Sequence, residues 1–360
     1  MQITDERRNL YRVLDGTVLP AGVADKLAGL GITTLDELRD NWSYGNRQLI
    51  TAYLGDSPLR LVSATPASML AMRSASGIGP NPVVNLLDVG RPRPLVKHPR
   101  GVILSAKERA QVATAPAASA ITAARAGSVP RPTVSLVDRF PAIRNQKDRG
   151  TCVAFSSIAF LEFHLAESSG TTPSRHSEQF VYWACKHEDG IPTADGTYVS
   201  TARAVLKTYG ACLNRTWKYN PLPLPNNEGQ GPPPAGAEAE ASLSLWTKAK
   251  KVAASNVNRL REQLDAKRPV VLSVMTFPSW DFATTADTGD ITMPFPGEAS
   301  DGGHAICLVG YLVDASAPGG GRLIFRNSWG TTWAKKSRAA VGYGTLPFEY
   351  VKKYALEAFA

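Results

Sequence analysis

A chain of 360 residues with 43% hydrophobic and 20% charged residues is long enough for two domains, one of them with a large core. No run reaches the roughly 18 uncharged apolar residues that a membrane helix needs, so no membrane contact is expected. The net charge of +9 is unevenly placed: residues 1–59 carry 6 basic against 8 acidic side chains, 60–135 carry 10 against 2, and 136–360 carry 24 against 21.

The first residues, Met-Gln-Ile-Thr-Asp-Glu-Arg-Arg, hold two acids and no apolar h-region, so no secretory signal is expected. Residues 5–59 read as a small helical unit. Val23, Leu27 and Leu30 keep helix spacing up to Gly31, and Thr33 or Thr34 caps a second helix carrying Leu35 and Leu38. Gln48, Leu49, Tyr53 and Leu54 continue a third, ended by Gly55. The segment Lys26-Leu-Ala-Gly-Leu-Gly-Ile-Thr-Thr-Leu-Asp-Glu-Leu resembles the helix-hairpin-helix-like unit of the RNA polymerase alpha subunit's C-terminal domain. Such units bind DNA or protein, and the net acidity here argues against phosphate contacts. A protein-docking module or structural cap is expected, and nucleic acid is not.

Residues 60–135 are rich in breakers, among them Gly77-Ile-Gly-Pro-Asn-Pro and Arg91-Pro-Arg-Pro. Val83-Val-Asn-Leu-Leu is a candidate strand, and Ser105 caps a short candidate helix to Ala113. Thr114 to Pro132 is Ala-, Ser- and Pro-rich. The whole stretch reads as a basic linker, or as a segment lying along a cleft and limiting access to it.

From Val137 the composition becomes that of a packed domain. Helices are predicted after Cys152 and over Gln179–Cys185, Val199–Tyr209 and Val257–Lys267. Asn220 to Gly236 is a loop. Strands are predicted at Pro269–Met275, Ala305–Tyr311, Arg322–Arg326 and Ala339–Gly344. Helices first and strands later indicate an α+β domain in two lobes.

Four cysteines, Cys152, Cys185, Cys212 and Cys307, are too few for a disulfide scaffold and suit a reducing, cytoplasmic setting. Cys152 opens an apolar helical run after the polar turn at Gly150-Thr151. A thiol in the first helical turn meets the positive end of the dipole and free backbone N–H groups, both of which favour thiolate. Read alone it is equally a buried structural cysteine. Gln146 lies six residues upstream, where its amide can donate to an oxyanion.

A base is needed, and five histidines are available. His164 is twelve residues along the same helix, about 18 Å away, and cannot reach the sulfur. His98, His176 and His187 stand in polar surroundings and read as solvated. His304 follows Asp301-Gly-Gly and starts an apolar strand, which suits a site facing a cleft. Asn327, in Phe325-Arg-Asn-Ser-Trp-Gly, closes another strand. Its amide can fix the imidazole tautomer, and Trp329 can shield that bond from water.

With Gln146, Cys152, Gly303-His304 and Asn327-Ser-Trp-Gly in this order, the stretch 136–358 resembles the papain-type cysteine peptidases. Ser177-Glu-Gln and Gly342-Tyr-Gly are further matches. The resemblance implies Cys152 as nucleophile, His304 as general acid/base, Asn327 as its orienter and Gln146 as oxyanion donor. It implies Gly196, Gly303 and Trp329 beside the substrate. It also implies an α+β papain-like fold, a helical lobe plus an antiparallel β-barrel-like lobe, behind the small all-α unit. His304 and Asn327 follow Cys152 by 152 and 175 residues, against about 130–150 in the family pattern, so insertions are expected at Asn220–Gly236 and Ser316–Gly321. Val153 stands where the family has an aromatic, and Arg149 where many secreted members have a disulfide cysteine. Asp195-Gly196 takes the place of the family's Gly-Gly edge, and the long inhibitory pro-region helix motif is not recognisable in 1–135.

The expected function is peptide-bond hydrolysis through a Cys152 thioester, with peptide or protein as substrate and no cofactor or metal. An inert scaffold on the same fold and an acyl-transfer or amidase enzyme are the alternatives.

Overall fold

The computed structural model describes residues 26, 27, 30, 32, 35–43, 50, 51, 54, 60–62, 83–85, 95–105, 108, 134–295, 298–315 and 317–360. The predicted turns and breakers at Gly31, Thr33, Thr34, Gly55 and 114–132 lie outside the described residues. So do Val23, Gln48, Leu49 and Tyr53.

The body is built on an antiparallel sheet whose strands run in the order β4 (Lys251–Val252), β9 (Ala355–Phe359), β5 (Val270–Thr276), β6 (Gly302–Val313), β7 (Gly321–Arg326) and β8 (Tyr343–Pro347). A short β3 (Val134–Ser135) adds to β6 through Tyr311 and Gly310. The central strands β5 and β7 are buried along their whole length, which explains why they read as continuous apolar runs without alternation. The last predicted strand starts later than its sequence run. Ala339–Gly342 is a turn, Gly342 takes φ 80°, and pairing begins at Tyr343.

Three helices form the second lobe: α2 (Cys152–Ser169), α3 (Glu178–Glu188) and α4 (Val199–Thr208). Fourteen of the 18 residues of α2 are buried, because it lies between the other helices and the sheet, apolar on every side. Val153, Ile158, Phe160, Leu161 and Phe163 pack there against Val271, Cys307 and Ile324 of the strands. Ser177 caps α3 by accepting from the Phe180 N–H at 3.0 Å, as the Ser-Glu-Gln pattern predicts. Beyond the sheet, α6 (Val257–Asp265) buries Val257, Leu260 and Leu264, and α8 (Phe348–Tyr354) packs Tyr350 and Val351 into the same core.

The helical lobe is braced by buried charge. Arg144 donates to Glu178 at 2.7 Å and to Glu162 at 2.8 and 2.9 Å. Arg149 takes over the bracing that a disulfide gives elsewhere. Its guanidinium donates to Gln179 Oε1 at 2.8 Å and to the carbonyls of Asn220 and Glu228, stacked over Tyr182 and Tyr219. The 220–236 loop is thereby tied to the turn before Cys152.

Before the body, α1 (Leu35–Ser43) docks on α7 (Ala283–Thr288), where Asp40 accepts from the N–H and hydroxyl of Thr284 at 3.2 and 2.6 Å. β1 (Arg60–Val62) pairs in parallel with β2 (Val83–Asn85). Ser105 and Glu108 form a reciprocal capping box, Glu108 N–H to Ser105 Oγ and Ser105 N–H to Glu108 Oε2. The helix predicted beyond it lies outside the described residues.

Candidate active site

Cys152 is the first residue of α2, His304 lies on β6 opposite Val274 of β5, and Asn327 follows the end of β7. The sheet therefore delivers His304 and Asn327 side by side, and the sulfur meets them from the helical lobe. Asn327 Oδ1 lies 2.8 Å from His304 Nε2. An amide oxygen only accepts, so Nε2 carries the proton and Nδ1 keeps its lone pair. Among the described residues Nδ1 has no hydrogen-bond partner. The Ala305 N–H donates to Cys152 Sγ at 3.4 Å, which sets the sulfur against the start of β6. Trp329 stacks on the His304 ring at 4.5 Å, and Trp280 meets it edge-on at 5.8 Å. These indoles keep water from the imidazole–amide bond.

Gln146 reaches the site because its segment makes an isolated bridge to the one after Asn327. Asn145 bridges Trp329, and the Gln146 N–H donates to the Ser328 carbonyl at 2.8 Å. The side chain is clamped at both ends: Nε2 donates to the Arg149 carbonyl at 2.9 Å, and Oε1 accepts from Ser328 Oγ at 2.6 Å. A clamped amide is a preorganised donor. Ser328 is a contributor that the sequence reading quoted without a role.

The cleft is not empty. Residues 95–105 lie across it, over Cys152, Gln146 and Gly303. His98 stacks on Trp329 at 4.2 Å, and the Pro99 carbonyl accepts from Gln146 Nε2 at 3.4 Å. Gly101 passes so close to the turn before Cys152 that a Cβ there would lie 2.0 Å from the Gly150 oxygen. Val102 N–H donates to the Gly303 carbonyl at 3.1 Å, and a Cβ on Gly303 would lie 2.9 Å from the Val102 side chain. Both glycines permit the close approach. The Thr197 N–H donates to Gly101 O at 3.0 Å, and the Ile103 N–H to Thr197 O at 3.1 Å.

Residues 101–103 thus bond to Thr197 and lie against Gly196, where a Cβ would sit 2.7 Å from the Gly101 oxygen. Gly196 is engaged inwards, its N–H on Tyr182 Oη at 2.9 Å and its carbonyl on Lys186 Nζ at 2.9 Å. Asp195 accepts from the Gly150 N–H at 2.8 Å and so ties that edge to the turn before Cys152.

Coverage sets the electrostatics. Cys152 and His304 are fully buried. Burial pushes the thiol up to about 12, against the pull of the Ala305 and Gly101 N–H donors. Burial, helped by the Arg100 charge, pushes His304 down to about 3. The covered pair is neutral thiol and neutral imidazole, so the expected helix-start activation is overridden by desolvation.

The other histidines differ from expectation in two cases. His176 is buried, between the Ser174 carbonyl and Ser244 Oγ, and His98 covers Trp329. His187 is exposed, and His164 is far along α2, stacked on Trp246. All four cysteines are free and buried. Among the described residues no group of His, Cys, Asp and Glu has the arrangement to hold a metal ion, and no helix is long and apolar enough to cross a membrane.

Residues 136–346 match the model for the papain family of cysteine proteases. Over 214 residues the chain is 26% identical to the uncharacterized peptidase C1-like protein L477 of Acanthamoeba polyphaga mimivirus, a match covering 58% of this chain and 64% of that protein. Among solved structures it resembles xylellain, a cysteine protease from Xylella fastidiosa. The TM-score is 0.56 at 20% identity, over 75% of this chain and 96% of that one, a likeness of fold.

Proposed function

The chain belongs to the papain family of cysteine proteases, and from that premise we propose that it hydrolyses peptide bonds through Cys152 and is held latent by residues 95–105. Cys152 Sγ attacks the peptide carbonyl as His304 Nδ1 takes the thiol proton. The oxyanion is met by Gln146 Nε2 and the backbone N–H at the helix start. His304 then gives its proton to the leaving amine, and water, activated by the same imidazole, cleaves the thioester. Asn327 holds the ring throughout through Nε2.

The observation that carries this reading is the convergence of Gln146, Cys152, His304 and Asn327 in a groove already filled by a peptide segment. The direction of that segment supports latency. A substrate's leaving group lies on the side of the acid, His304 and Trp329, and its acyl part along Thr197. Residues 96–100 lie on the Trp329 side and 102–103 along Thr197, so the segment runs opposite to a substrate and presents no cleavable bond.

Docking of α1 on Thr284 favours a role for the N-terminal unit in anchoring this segment. Four free cysteines favour a reducing, cytoplasmic setting. The test is hydrolysis of a fluorogenic peptide by the full-length protein and by Arg100→Ala. Faster turnover by the variant, abolished by Cys152→Ala, is expected. No turnover by either protein, whatever the peptide, would favour the inert scaffold.

A further inference from the structure

We propose that Asp281 and Asp301, with Thr276 and the indole of Trp329, form a subsite on the leaving-group side of the cleft that selects a basic side chain, arginine above all. The proposal rests on the peptidase reading and adds to it the chemical class of substrate. In the covered state the subsite holds the guanidinium of Arg100. Its Nη2 lies 3.0 Å from Asp281 Oδ1 and 3.6 Å from Asp301 Oδ2, and its Nε donates to Thr276 Oγ1 at 3.1 Å. Its Nη1 donates to the His98 carbonyl at 3.2 Å, and the group sits 5.1 Å from the Trp329 ring. The arginine side chain is only 11% exposed.

The polarity of the pocket is fixed by one proton. Thr276 Oγ1 gives its hydrogen to Asp301 Oδ1 at 2.7 Å, so it can only accept from whatever enters. Two carboxylates, one accepting hydroxyl and an aromatic face make a negative, acceptor-rich pocket that disfavours an acidic side chain. A guanidinium hydrogen-bonds the hydroxyl while its charge lies beside Asp281, as Arg100 does, whereas a lysine reaches as a point charge.

Placement on the leaving-group side follows from the chemistry. The leaving amine must receive its proton from His304, Trp329 stacks on that ring, and the guanidinium lies against Trp329. Asp301 precedes His304 by three residues at the entry to β6. When residues 95–105 lift away, the carboxylates lose their counter-charge, and a basic substrate residue restores it.

Full-length Arg100→Ala removes the occupant without touching the cleft. It is given peptides identical except for Arg, Lys, Gln or Glu at the first or second residue after the scissile bond, and separately a coumarin amide with no such residues. At one of the two positions, kcat/KM is expected to favour Arg over Gln by about tenfold or more, with Lys between and Glu lowest. Adding Asp281→Asn and Asp301→Asn should bring the Arg-to-Gln ratio close to one. If the coumarin amide is cleaved but Arg and Gln peptides react alike at both positions, the subsite is wrong and the peptidase reading stands. If nothing is cleaved the peptidase reading fails. The subsite is then judged by fluorescence anisotropy of the labelled peptides, where tighter binding of the Arg peptide supports it and equal binding overturns it.

Discussion

Val102 runs parallel to Thr197 in the cleft, and reversing it gives the antiparallel direction of a productive substrate. On the proposed peptidase reading, the segment thus takes the backbone donors and acceptors beside a substrate without offering a carbonyl in the order acyl, Cys152, leaving group. Hydrogen bonds from Thr197 and Gly303 give it affinity, and its polarity gives it resistance.

Coverage of His304 makes opening pH-dependent. While the ring is buried beside Cys152, His98 and Arg100 it stays neutral, with its pKa pushed down to about 3. Opening returns it towards about 6.5. Between these values the open state binds the extra proton, so falling pH shifts the balance towards opening. Hydrogen exchange of the Val102 and Ile103 amides, corrected for intrinsic rate, should show opening roughly 25-fold more frequent at pH 5 than at pH 7. The pH dependence should shrink in His304→Ala. Equal protection at both pH values in the unsubstituted protein would refute this.

Removing the clamped amide tests the oxyanion donor. Gln146→Ala in the Arg100→Ala background should lower kcat about 10²–10³-fold with little change in KM. Ser328→Ala frees Oε1 from its 2.6 Å bond and should cause a smaller drop, also in kcat. Full activity of the Gln146 variant would show that this amide does not face the oxyanion.

Much of the site was legible because its chemistry is local in sequence: a cysteine at a helix start, a histidine after two glycines, an Asn-Ser-Trp-Gly turn. The long strands showed as apolar runs. That part of 60–135 lies along the cleft was one of two readings of that stretch, but which residues do so was not legible, since Arg100 and its neighbours sit among breakers with no periodicity and are held by partners more than 40 residues away. Asp281 and Asp301 gain meaning only when the 3₁₀ turn Pro278–Asp281 meets the entry to β6. His176 read as solvated because its burial comes from Ser244, which is 68 residues on. Thr197 bonds the segment because the polar groups of the Gly196 backbone are taken by Tyr182 and Lys186, a long-range arrangement that the local sequence does not show.

Arg149 should matter to both stability and rate. Arg149→Met leaves Gln179 Oε1 and the Asn220 and Glu228 carbonyls without their donor, at a cost of about 3 kcal/mol. Thermal unfolding should show a clearly lower Tm. A fall in kcat should accompany it, because the Arg149 carbonyl also holds Gln146. An unchanged Tm would mean that the arginine does not brace the loop.

The most direct measurement is site-resolved mass spectrometry of folded full-length protein and of Arg100→Ala after exposure to an epoxide thiol inhibitor. All four thiols are buried, yet only Cys152 lies under a displaceable segment beside a histidine. The account predicts an adduct on Cys152 alone, formed faster in the variant. Labelling of Cys152 no faster in the variant, or spread evenly over Cys185, Cys212 and Cys307, would contradict it.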